Sequence, residues 1–201
     1  MKTIRIGVIA IQGNVEEHIE SMRQALGKRG EVIKIKHAGI VPLCDAIVIP
    51  GGESTTLCRL AWREGIAQEI ITKAKAGMPV WGTCAGLILL ASRGDDEVEK
   101  TKQQLLSLMD VTVNRNAFGR QIDSFEASLT IKGFDGPFHA IFIRAPAIVS
   151  AGRDVEVLAK YDDFIVAARQ RNLLASAFHP ELTDDLRFHR YFLGMIQGWD
   201  N

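Results

Sequence analysis

A chain of 201 residues that is 47% hydrophobic and 24% charged has the make-up of an ordinary soluble protein, and its length suits one compact unit over residues 1–201. Twenty-four Lys and Arg balance 24 Asp and Glu, which argues against a surface built to neutralise nucleic-acid phosphates or anionic lipid. No apolar run approaches the ~20 residues of a membrane helix, and Cys44, Cys58 and Cys84 match no zinc spacing, so the expectation is free thiols, a reducing cytoplasm, no membrane and no metal.

In chain order, Ile4 to Ile11 reads as a buried first strand rather than a signal peptide, and Val15 to Leu26 carries apolar residues at helical spacing. Glu31 to Lys36 alternates as a strand. Ala46 to Ile49 is apolar on both faces, as expected of a central parallel strand under helices. Pro50-Gly51-Gly52 ends it, and a helix capped by Ser54 or Thr55 should follow. Ile66 to Ala76 is helical, Pro79 to Trp81 a short strand, and Ala85 to Ala91 a helix. The polar stretch from Ser92 to Asp110 reads as a solvated loop with a short helix. Beyond Val111 the texture turns to β, with strands expected at 125–131, 140–143, 155–161, 164–168 and 173–178, and a closing helix at 184–198. The expectation is an α/β fold: a mostly parallel sheet between helices, with some antiparallel strands in the C-terminal half.

Gly82-Thr83-Cys84-Ala85-Gly86 sets a cysteine between a strand and a helix, with glycine two residues before and two after. This has the logic of a nucleophile elbow, in which glycines make room for a sharp turn that exposes the nucleophile. The first helical amides favour thiolate there, and the Ala85 amide could hold an oxyanion. A small buried hydrophobe in a tight turn is the competing reading. His179 is the best base among five histidines, since it ends a buried strand where α/β sites collect. Pro180 favours an extended backbone, which would project His179 and Glu181 to one side as base and orienting acid. His18, His37, His139 and His189 read as structural or solvated. In the second glycine turn, 50–56, Gly52 could offer another oxyanion amide and Glu53 could bind an amine; Arg115 and Arg144 could grip a carboxylate.

Together these segments resemble the class-I (triad) glutamine amidotransferases, and more narrowly the glutaminase subunits of pyridoxal 5′-phosphate synthases. The likeness is carried by AIQG at 10–13, PGGESTT at 50–56, GTCAGL at 82–87, RNAFGRQIDSFEA at 115–127, FIRAP at 142–146 and FHPELT at 178–183. The charged segment 92–110 and Asn114 depart from the family pattern. The resemblance implies a flavodoxin-like three-layer fold and a triad of Cys84, His179 and Glu181. It implies an oxyanion site near Gly51, Gly52 and Ala85, and glutamine contacts from Gly52, Glu53, Ser54, Arg115, Ile143 and Arg144. It further implies hydrolysis of L-glutamine through a glutamyl thioester, with ammonia passed to a (β/α)8 synthase partner that makes pyridoxal 5′-phosphate (vitamin B6). That partner would activate the chain through Gln12, and the chain itself would need no cofactor. A glutaminase serving imidazole-glycerol-phosphate synthase, a PfpI-like peptidase and a non-catalytic scaffold remain the alternatives.

Overall fold

The computed structural model describes residues 3–119 and 124–199. The order is β1 (Ile4–Ile9), α1 (Val15–Leu26), β2 (Gly30–Ile35), β3 (Ala46–Ile49), α2 (Ser54–Arg63), α3 (Ile66–Lys75), β4 (Val80–Thr83) and α4 (Ala85–Leu90). There follow β5 (Ala91–Arg93), α5 (Asp96–Lys100), β6 (Met109–Asn114), β7 (Ser124–Leu129), β8 (Phe138–Ile143) and β9 (Ala147–Ala151). β10 (Glu156–Tyr161), β11 (Phe164–Gln170), β12 (Leu173–Ser176) and α6 (Arg187–Leu193) complete the described chain.

The first five sheet positions run β2-β1-β3-β4-β12, all parallel, which is the flavodoxin-like strand order. Every residue of β3, β4 and β12 is buried, so neither face of the central sheet meets water. Helices α1 and α6 pack together as one group, and α2, α3 and α4 as another. Beyond β12 the sheet turns antiparallel through β11, β9 and β6, with β5 parallel to β6 at the far edge. β7 and β8 form a separate antiparallel hairpin. Phe118, Phe125, Phe142, Tyr161 and Phe164 hold that hairpin to the sheet, the Phe125 and Phe142 rings stacked at 4.5 Å.

Two expectations change, and one strand was not foreseen. Segment 92–110 is more than a solvated loop: Ala91–Arg93 is a strand, and Asp95 caps α5 by accepting from the Glu97 and Val98 amides. Val98 and Leu106 are buried, and the Leu106 amide bonds the Leu89 carbonyl, so the charges face outward from an anchored segment. The closing helix covers Arg187–Leu193 rather than 184–198, because Asp185 accepts from the Arg187 amide and Gly194 ends it. Strand β9, directly after Pro146, carries no alternation that marks it in the sequence.

One consequence of this packing is a dependence on acid. His189 is fully buried, neither ring nitrogen has a hydrogen-bond partner, and burial pushes its pKa down to about 3. The unfolded chain therefore takes up a proton near pH 6.5 that the folded chain refuses, so stability falls as pH drops from 6.5 towards 3. His189→Phe should be progressively more stable than the parent below pH 6.5, by on the order of 1–3 kcal/mol at pH 4.5. Urea midpoints at pH 7 and 4.5 measure it; an unchanged gap between the two proteins would contradict the buried-imidazole account.

Candidate active site

Strands β1, β3, β4 and β12 end on the same side, and the loops that follow them build the site. After β4 the chain enters α4 through Cys84, whose φ of 48° lies in the left-handed region that non-glycine residues avoid. The flanking glycines permit this. A side chain on Gly82 would strike the backbone of Gly86, and one on Gly86 would strike the Ile49 carbonyl, so α4 lies tight against β3. The Cys84 amide bonds the Ser176 carbonyl at 2.8 Å, which fastens the elbow to the neighbouring strand β12. Cys84 Sγ lies 3.9 Å from the Ile143 carbonyl.

β12 delivers His179 beside that elbow, and the His179 amide bonds the Ile141 carbonyl of β8 at 2.8 Å. Its Nδ1 lies 2.7 Å from Glu181 Oε1. The route differs from the expected one: Pro180–Leu182 is a 3-10 turn, so Glu181 curls back beneath the imidazole rather than projecting along an extended strand. Burial alone would lower the His179 pKa, but the Cys84 sulfur and the Glu181 carboxylate raise it to about 10. Burial would raise the Glu181 pKa, and the hydrogen bond and charge of His179 instead bring it down to about 2. The acid is thus ionised and the imidazole favours its protonated form.

Gly51 lies beneath both groups. A methyl there would stand 2.5 Å from His179 Cε1 and 3.2 Å from Cys84 Cβ, so Gly51 is where the backbone must come close. Gly51→Ala should displace the ring and lower by about 10²-fold any turnover that depends on it, the usual cost of a misplacement near 1 Å. The check is steady-state kinetics on folded protein; wild-type turnover would contradict this geometry. Gly52 has φ 155°, and the Gln12 amide lies against it, with Gln12 Oε1 buried and unpartnered.

A cavity of about 280 Å³ opens at this corner. Gly52, Glu53, Ser54, Cys84, Ala85, Arg115, Ile143, Arg144 and His179 line it, bringing together nearly all of the residues singled out from the sequence. Glu181, Gly51 and Gln12 stand behind the lining. Glu53, rather than Ser54 or Thr55, caps α2: its carboxylate accepts from the Thr55 amide at 2.9 Å and the Thr56 amide at 2.7 Å. Burial opposes ionisation there, but those hydrogen bonds pull its pKa to about 2. Arg115 reaches within 3.7 Å of the Glu53 carboxylate, so the cavity wall carries both signs of charge. Arg144 also holds a positive φ, 40°, at the cavity edge. Arg120, Gln121, Ile122 and Asp123 of the 115–127 motif lie outside the described residues.

Asn14 and His18 were not marked by the sequence. Asn14 heads α1 yet makes no capping bond; its Nδ2 donates to Glu181 Oε1 at 3.3 Å, and it also lines the cavity. His18 is fully buried against Thr83 and Glu181. An Asn before a helix reads as a cap and a His within one as packing, so neither carried a local signal. Among the described residues no group of His, Cys, Asp or Glu is disposed to hold a metal ion, and no helix is long and apolar enough to cross a membrane.

Residues 8–198 match the model of the SNO glutamine amidotransferase family. The chain is 82% identical over 198 residues to the pyridoxal 5′-phosphate synthase subunit PdxT of Methanocella arvoryzae, covering 98% of this chain and all of that one. It is 53% identical to the PdxT subunit of Archaeoglobus fulgidus, covering 94% and 97%. A solved structure described as a glutamine amidotransferase superposes with a TM-score of 0.87 at 43% identity, covering 95% of this chain and 98% of that chain.

Proposed function

The chain belongs to the SNO glutamine amidotransferase family, and on that footing we propose that it is a single glutaminase domain that hydrolyses L-glutamine and passes the ammonia to a pyridoxal 5′-phosphate synthase partner. The observation that carries this reading is the convergence of Cys84, His179 and Glu181 at one corner of a cavity whose walls hold Glu53, Arg115 and Arg144.

His179 holds the proton drawn from Cys84 on Nε2, the nitrogen left free by the Glu181 contact, and the sulfur attacks the side-chain amide carbon of glutamine. The oxyanion that forms is held by backbone amides at Ala85 and in the Gly51-Gly52 turn. His179 returns the proton to the departing nitrogen, and ammonia leaves. The resulting glutamyl thioester is attacked by water, which gives its proton to the same imidazole, and glutamate departs as the thiol re-forms. Glu181 keeps the imidazole in the tautomer these transfers need and stabilises its charged form. Arg115 and Arg144 bind the substrate's α-carboxylate and Glu53 its α-ammonium, with Ser54 and the Ile143 backbone completing the frame. None of these steps calls for a cofactor.

Free ammonia is protonated at neutral pH and no longer nucleophilic, so direct transfer to a (β/α)8 synthase subunit conserves it. Gln12 fits a gating role: its side chain covers Gly52, whose amide must be free to meet the oxyanion. Three free cysteines are compatible with a reducing, cytoplasmic setting. The test mixes the chain with the synthase subunit, glutamine, and pentose and triose phosphates, and follows glutamate and pyridoxal phosphate together. Glutamate release should rise when the synthase is present. Equal rates with and without it would overturn the gating by Gln12, and no glutamate in either case would overturn the glutaminase reading. Restoration by imidazole-glycerol-phosphate synthase instead would reassign the partner.

A further inference from the structure

Behind the triad, His18 of α1 stands between two residues that flank the chemistry. Its Nε2 lies 2.9 Å from Thr83 Oγ1, on the residue just before Cys84, and 3.3 Å from Glu181 Oε2. All three side chains are shut off from solvent. From this bridge we infer that His18 is a positioning residue, whose neutral imidazole ties the Glu181 carboxylate to the base of the nucleophile elbow. The inference rests on the proposed triad chemistry and concerns a residue to which that chemistry assigns no part.

The proton inventory fixes the tautomer. If Nε2 were bare, its lone pair would face the Glu181 carboxylate and a buried Nδ1–H would have no acceptor, since Nδ1 has no hydrogen-bond partner. Both costs vanish when Nε2 carries the proton and donates it to Thr83 while facing Glu181 Oε2. The groups around the ring are Glu181 from the 3-10 turn, His189 from α6 at 6.4 Å, His179 beyond Glu181, Glu17 on its own helix, and the edge of Trp81. Burial opposes a charge on His18 although Glu181 favours one, which keeps the ring neutral. Glu181 Oε1 is already taken by His179 and Asn14, and Oε2 has no hydrogen-bond partner. The N–H edge of His18, donated to Thr83, is therefore what lies 3.3 Å from that second oxygen, and its partial positive charge favours the carboxylate orientation that meets His179.

The test compares His18→Gln, which keeps a donor at similar reach, with His18→Met, which fills the space without one. The first readout is the rate of Cys84 carbamidomethylation by iodoacetamide at pH 6.5, quantified on the Cys84 peptide, because it reports imidazole-assisted ionisation without turnover. The second is kcat and KM for glutamine with the synthase present. His18→Met should lower the Cys84 alkylation rate and kcat by about tenfold with KM little changed, whereas His18→Gln should recover most of both, as expected when an outer hydrogen bond orients a reacting group. If His18→Met does not fold, Thr83→Val, which removes the hydroxyl at constant shape, takes its place and should slow alkylation about threefold. Alkylation rates equal to wild type in the donor-free variant, or equal loss in the Gln and Met variants, would overturn the inference. A wild-type chain that alkylates normally but releases no glutamate would instead overturn the glutaminase reading and leave this one standing.

Discussion

Cys84→Ala is expected to reduce glutamine hydrolysis by at least about 10⁴-fold, because it removes the sulfur proposed to form the thioester and leaves oxyanion and substrate contacts with nothing to assist. The fold should survive. Alanine bears the same strain as cysteine at φ 48°, and the lost sulfur gives up its interaction with His179, which keeps Glu181, and a long contact to the Ile143 carbonyl. The stability cost should stay near about 1 kcal/mol. Two measurements separate chemistry from assembly: glutamate release from glutamine, and pyridoxal phosphate formation by the synthase when ammonium salt replaces glutamine. The variant should fail the first and leave the second intact. Substantial glutamate release by Cys84→Ala would remove the nucleophile from the scheme, whatever the fold.

The second large effect belongs to Glu181. Glu181→Gln keeps the shape but offers one acceptor where two are needed, since His179 Nδ1 faces Oε1 and His18 Nε2 faces Oε2. Whichever way the amide turns, its NH₂ meets another N–H. The imidazole then loses its tautomer and its counter-charge, and kcat should fall by about 10²–10⁴-fold. The same variant should show a pH-dependent loss of stability whose sign follows from the two pKa shifts. Glu181 is held at about 2, so its contribution is full above pH ~4.5 and disappears as pH falls through 2. His179 is raised to about 10, so its contribution is full below pH ~6.5 and disappears as pH rises through 10. The stability gap between parent and variant should be widest between pH 4.5 and 6.5, on the order of 1–3 kcal/mol, and should narrow on both sides. Denaturant midpoints across pH 3–10 measure it; a gap that widens steadily towards alkaline pH would contradict the ion pair.

The elements easiest to read were those whose residues answer to local rules. Val15 to Leu26 is a helix with those limits because its apolar side recurs every three to four residues, and Ala46 to Ile49 is a central strand because it has no polar face to give to water. The elbow at Cys84 was legible for the same reason: glycine is needed at 82 where β4 meets α4 and at 86 where α4 meets β3, and that need is visible in the chain. Elsewhere tertiary contacts override local appearance. The charges of segment 92–110 suggested a loop, but Val98 and Leu106 anchor it. Ser54 and Thr55 suggested a cap, but the longer Glu53 side chain reaches both amides first. His179 and Glu181 met as expected through a different backbone path, because Pro180 begins a 3-10 turn.

Local chemistry along the chain thus marked the proposed nucleophile, base and acid, together with the strand ends that carry them, since strained turns, strand ends and charged side chains each leave a mark within a few neighbouring positions. The electrostatic surroundings of those groups came only with folding. Asn14 reaches Glu181 across 167 positions and His18 reaches Thr83 across 65. Hydrogen bonds of that span depend on how helices settle against the sheet, and on which proton a buried ring keeps once water is gone; neither leaves a pattern in the order of residues.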